Sequence, residues 1–234
     1  MNFHRISRLA AVALSATILS HAAPAQTDMA QTVDVALVVA IDVSFSVDST
    51  EHRLQMEGFA TALESEEVLG AIESGRQRKI AIVVIEWSGE ANQGIIIPWT
   101  IISDEASARS VANILAKGPR SVAEGGTAIA SALTYGGTMF ASAPSSPRQV
   151  IDLSTDGRNN AGKPANEARD ALVAKGITIN GLAITNEWAQ LATYLEKQVI
   201  GGGESFVISA TNYDDFAAAM QRKLVKEITG PGNT

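Results

Sequence analysis

From residue 33 onward, short unbroken apolar runs alternate with longer segments in which apolar residues recur every three or four positions. VDVALVVAI (33–41) is nearly continuous in apolar residues, the pattern of a central strand covered on both faces. Over 49 to about 67, Leu54, Phe59, Ala62 and Leu63 fall at helical spacing, with Asp48, Ser49 or Thr50 available as the N-cap. KIAIVVIEW (79–87) and GIIIPWTII (94–102) are β-rich runs joined by the polar link SGEANQ, which predicts a hairpin and therefore an antiparallel pair. Pro98 has no N–H to give to a ladder, so its strand belongs at the sheet edge.

Beyond this hairpin the pattern predicts helices over about 104–117 and 127–141, then strand VIDLS (150–154) and a helix over about 164–175. Strand ITINGLAI (177–184), a helix over about 187–199, strand SFVIS (205–209) and a helix over about 212–228 complete it. Strands alternating with helices imply right-handed crossovers and an α/β fold with a mainly parallel sheet between helices. The 234 residues contain no internal repeat, and one domain over 33–228 accounts for the pattern.

The first 25 residues read differently. His4, Arg5 and Arg8 precede the apolar run LAAVALSATILS, and Ala23-Pro24-Ala25 then matches a signal-peptidase site, so 1–25 is read as a cleaved signal peptide. A polar lead (26–32) follows, and 229–234 is read as a flexible tail. The apolar run is short for a bilayer span, and no integral membrane segment is expected in the mature chain. With no cysteine there is no disulfide and no thiol to lipidate. The mature chain is expected to be exported, to the periplasm of a two-membrane bacterium and otherwise secreted. Losing 1–25 removes two of the 18 Lys and Arg and no acid, which moves the formal charge from −7 to −9. Such acidity without basic clusters argues against nucleic acid as a partner.

Candidate chemistry lies where strands are predicted to end, the place at which open α/β sheets bind ligands. Asp42, Ser44 and Ser46 follow the first strand at every second position, a spacing that points extended side chains the same way. Thr127 follows two glycines in GGTAIASAL (125–133), and Asp156 follows the fourth strand in STDGRNN (154–160). Taken singly, these are helix caps and turn residues. Together they are an oxygen-only donor set, suited to a hard cation and not to structural Zn²⁺.

The set DVSFS, GGT and STDG resembles the metal-ion-dependent adhesion site (MIDAS) of von Willebrand factor A-type domains over about 33–228. IEWSG (85–89), PWT (98–100) and DGRNNAG (156–162) are more narrowly similar to a bacterial exported A-domain-like family of unknown function. The resemblance implies a doubly wound six-stranded sheet with one antiparallel edge strand. It also implies one divalent cation held by Ser44, Ser46 and Thr127, with Asp42 and Asp156 acting directly or through water. Mg²⁺ is the expected ion and Mn²⁺ or Ca²⁺ the alternatives. The implied partner is a protein presenting Asp or Glu to complete the coordination, the chain itself being a monomer. Phe45 stands where many members have Gly, and adds an apolar side chain to the loop.

Phe45, Glu86, Trp87, Arg158, Asn159 and Asn160 are candidates for a partner-binding rim, the last five each with a plainer reading as core, strand-end or turn residue. His52 is the one histidine left after the leader and is expected to face solvent from its helix. Without Cys, Gly-x-Ser-x-Gly or a phosphate loop, catalytic centres lack their groups, and the chain is read as a binding module and not an enzyme. The alternatives are a metal-independent scaffold and metal-assisted hydrolysis with Asp42, Asp156 or Glu86 activating water.

Overall fold

The protein, seen in a computed structural model, is described over residues 32–230. The leader read over 1–25, most of the polar lead and the end of the tail lie outside the described residues.

In chain order the elements are β1 (Ala36–Asp42), α1 (Ser49–Leu63), α2 (Glu66–Ser74), β2 (Ile80–Trp87), β3 (Gln93–Ile102), α3 (Glu105–Lys117) and α4 (Ile129–Met139). After a 3₁₀ turn at Phe140–Ser142 come β4 (Gln149–Thr155), α5 (Ala165–Val173), β5 (Thr178–Ile184), α6 (Leu191–Gln198), β6 (Val207–Ala210) and α7 (Phe216–Thr229). The sheet order is β3-β2-β1-β4-β5-β6, with only the β2–β3 pair antiparallel. This is the doubly wound α/β architecture the pattern predicts. Pro98 lies on the edge strand, within the interrupted register between Ile97 and Thr100 where no ladder N–H is needed.

Side-chain alternation along the strands divides the core. Val35, Leu37, Val39 and Ile41 join a cluster with residues of α1, α2, α3 and α7. Val38 and Ala40 join one with residues of α4, α5 and α6. Every residue of β1 is buried, as its unbroken apolar run requires.

Some boundaries differ from the sequence reading. The helix expected over 49 to about 67 is two helices: α1 ends at Leu63, and Ser65 then caps α2 by accepting from Val68 N at 3.3 Å. The second helix, missed from the pattern, buries Val68, Ala71 and Ile72. The final helix starts at Phe216 and not near 212, because Asn212 Oδ1 accepts from Asp215 N at 3.1 Å and holds a turn there.

Candidate functional site

The crossover from β1 leads to β2 on one side and that from β4 to β5 on the other, so the topology switches between β1 and β4. Asp42 ends β1, and Asp156 follows β4. The fold thus brings two carboxylates from distant parts of the chain to one strand-end crevice.

The five proposed ligands are contiguous. Ser46 Oγ donates to Asp156 Oδ1 at 2.7 Å, the Ser44 and Ser46 hydroxyls are 3.3 Å apart, and Thr127 Oγ1 donates to Ser44 Oγ at 3.4 Å. Asp42 Oδ1 accepts from Ser44 N at 2.8 Å, and its Oδ2 accepts from Thr155 Oγ1 at 2.5 Å. Asp42, Ser44, Thr127 and Asp156 are buried, and Ser46 is half-buried.

Loop-to-loop hydrogen bonds fix this arrangement. Phe45 N donates to Gly125 O at 2.9 Å, and Asn160 N donates to Thr127 O at 3.0 Å. Thr127 N in turn donates to Asn160 Oδ1 at 2.8 Å. The two glycines before Thr127 serve close approach: a Cβ on Gly125 would stand 2.8 Å from Gly89 N, and one on Gly126 2.9 Å from Asn160 Oδ1. Thr127 does not cap α4; its hydroxyl is turned into the site.

Burial first, and then the charge of Asp156, push the Asp42 carboxyl up to about 7. Burial and the same aspartate push the Tyr213 phenol far above its usual range, so Tyr213 OH remains a donor to Asp156 Oδ2 at 2.9 Å. Two buried carboxyl groups and three hydroxyls face one another here, which is an all-oxygen donor set fitting a hard cation. Among the described residues no group of three or more His, Cys, Asp or Glu side chains is placed to hold a metal ion, so a cation here depends on the hydroxyls.

The rim candidates separate. Phe45 is 72% exposed beside the serines. Arg158 is exposed, with its guanidinium 5.9 Å from the Trp188 ring. Asn159 donates to Lys163 O at 3.0 Å, and Asn160 braces Thr127, so both also hold the loop. Glu86 and Trp87 are fully buried and leave the rim. Consecutive strand residues point to opposite faces, and each of these two is covered by a helical layer. Trp87 joins the cluster with Ile129 and Leu133 of α4, while Glu86 faces α1.

His52 is buried too, contrary to its expected exposure: its Nε2 meets Glu86 Oε1 at 2.7 Å. Glu86 Oε2 accepts from Ser121 N at 2.5 Å and Ser121 Oγ at 2.6 Å. These bonds overcome the effect of burial and hold the Glu86 carboxyl below its ordinary range. Sequence reasoning also missed Thr155 and Tyr213. Thr155 sits inside the quoted STDG motif and was accessible to it, whereas Tyr213 enters from far along the chain with no local signal.

Solved structures share this fold. Proximal thread matrix protein 1 (PTMP1) from the mussel byssus matches with TM-score 0.62 and 19% identity, over 85% of this chain and 49% of that one. A second PTMP1 structure, described as having a zinc-occupied MIDAS motif, matches with TM-score 0.56 and 18% identity over 85% and 48%. A von Willebrand factor type A protein from Catenulispora acidiphila matches with TM-score 0.60 and 19% identity over 84% and 43%. The pilus adhesin SpaC from Lactobacillus rhamnosus GG matches with TM-score 0.59 and 14% identity over 84% and 31%. The chain thus spans half or less of the length of these structures. The likeness establishes the von Willebrand factor A fold. No curated protein matches the chain. The family described as "Protein of unknown function (DUF1194)" matches residues 32–232.

Proposed function

The chain belongs to the DUF1194 family and has a von Willebrand factor A fold, and we propose that it is an exported module that binds a protein partner through a divalent cation. The observation that carries this reading is the convergence of Asp42, Ser44, Ser46, Thr127 and Asp156 in one hydrogen-bonded cluster at the strand ends. Ser44, Ser46 and Thr127 supply neutral oxygens, while Asp42 and Asp156 supply negative charge and orient water. A bound Mg²⁺, Mn²⁺ or Ca²⁺ would offer a position for an Asp or Glu carboxylate of the partner. Phe45, exposed next to the serines, gives that partner an apolar contact.

The leader pattern supports export, and no helix of the described residues is long and apolar enough to cross a membrane. Adhesin and matrix proteins among the structural neighbours agree with a binding role in place of an enzymatic one.

The test is thermal unfolding in EDTA, followed by titration of Mg²⁺, Mn²⁺, Ca²⁺ and, given the zinc-bearing neighbour, Zn²⁺. A cation that binds only the folded state should add about 2.7 kcal/mol at one hundred times its Kd. That gain should vanish in Asp156→Ala. No shift with any of the four would sink the cation reading, and partner retention that survives EDTA would favour the metal-independent scaffold.

Phe45→Ala should leave the unfolding free energy within about 0.5 kcal/mol of wild type, since the side chain is largely in water. Retention of the partner on immobilised protein should fall in the same variant. A large loss of stability would show instead that Phe45 is structural.

A further inference from the structure

At the sheet end opposite Asp42 and Asp156, the amino-terminal ends of β4 and β5 and the last turns of α7 border a cavity of about 730 Å³. Its lining includes Arg148, Asn180, Phe206, Arg222, Lys226 and Glu227. The volume falls within the several-hundred-Å³ range of small-molecule sites.

Asp152 and Asn180 are register partners on β4 and β5. Both face α7, where Lys223 and Glu227 lie one turn apart. Lys223 Nζ is 2.7 Å from Asp152 Oδ1 and 2.5 Å from Glu227 Oε1, with all three side chains buried. The Asp152 contact is an ion pair by distance, without the alignment of a hydrogen bond. Asn180 Nδ2 also donates to Glu227 Oε1, at 2.9 Å. Glu227 Oε1 therefore takes two donors, whereas Oε2 is buried with no hydrogen-bond partner among the described residues. Burial first, and then the charge of Asp152, push the Glu227 carboxyl up to about 8.

The cations around the opening form no close ion pair. Among the described residues Arg148, Arg222 and Lys226 have no carboxylate within 4.0 Å. Arg148 donates to Ile228 O at 3.1 Å and to Glu227 O at the end of α7, and Lys226 Nζ stands 4.1 Å from the Phe206 ring centroid. These contacts position the cations, while Glu227, Asp34 and Glu204 act on Arg148 at longer range. In a chain with a formal charge of −7, one cavity thus gathers Arg148, Arg222 and Lys226, against Glu204 and Glu227 in the same lining.

We propose that this cavity binds a small organic oxyanion, a carboxylate or a phosphate ester, whose oxygens face Arg148, Arg222 and Lys226. Val150, Val225 and Phe206 provide the apolar wall for its body. The site is separate from the strand-end cluster and does not depend on the cation there.

The test is calorimetric titration of the full chain, stripped of metal and dialysed into chelator-free buffer at constant ionic strength, with succinate and with glycerol 3-phosphate. At least one should bind saturably with a Kd of about 1 mM or tighter, and which one binds separates the carboxylate from the phosphate source. Arg222→Gln combined with Lys226→Gln changes two exposed side chains, so the fold should be kept while affinity drops about tenfold or more. Asp156→Ala should bind the probe as wild type does. Failure of both probes to reach that affinity, or equal binding by the double variant, would overturn the proposal.

Discussion

Trp87→Ala should lower the unfolding free energy by about 3–5 kcal/mol, read as a fall in urea midpoint at unchanged slope. Trp87 ends β2 with no exposed surface, in register with Asp42, and packs in the cluster that includes Ile85, Ile129 and Leu133. Its backbone carbonyl accepts from Val43 N at 2.9 Å, so the same residue supports the start of the Asp-x-Ser-x-Ser loop. Truncation would leave a cavity beside that loop, and cation binding should weaken together with stability. Trp87→Phe should cost much less. The indole Nε1 is buried with no hydrogen-bond partner among the described residues, and phenylalanine removes that orphaned donor while keeping an aromatic ring. An unchanged midpoint in Trp87→Ala would return this residue to the partner-binding rim.

Lys223→Ala should be comparably damaging, at about 3–5 kcal/mol, because it leaves Asp152 buried without its cation and takes a donor from Glu227. The same cluster predicts a pH dependence. Glu227 is raised to about 8 in the folded protein from an ordinary value of 4.5, so the folded state binds the extra proton between those limits. Stability from this group is therefore fully present below about 4.5 and is lost as pH rises through about 8. Glu227→Gln cannot titrate and keeps an oxygen for Lys223 and Asn180. Compared with wild type by urea unfolding, it should gain in relative stability from pH 6 to pH 9. A constant difference between the two proteins over that range would mean that Glu227 does not carry the proton.

Much of the strand-end site was legible because its signal is local. Asp42, Ser44 and Ser46 follow a strand that is apolar throughout, and Thr127 and Asp156 stand beside glycines at recognisable element boundaries. The hairpin and the edge position of Pro98 were legible for the same reason, since a missing N–H restricts a strand wherever it lies. The break at Ser65 was less so. SEEVL continues a plausible helical pattern, and the cap at Ser65 takes hold where α2 packs against the α7 layer.

The side chains whose meaning changed most are those satisfied from far along the chain. His52 was expected in solvent because a helix surface position normally is, yet Glu86 from 34 residues away is its partner. Lys223 and Glu227 read as ordinary charges on a helix until Asp152 and Asn180 are brought beneath them by the sheet. Tyr213 reaches Asp156 only because the loop between β6 and α7 opens at the same end of the sheet as the loop after β4. Residue order alone determined the doubly wound pattern and the oxygen-rich strand ends, because periodicity and turn chemistry act over a few residues. Which polar groups are buried, and which partner each finds, was decided by tertiary structure, because desolvation and pairing depend on whatever the fold places alongside them.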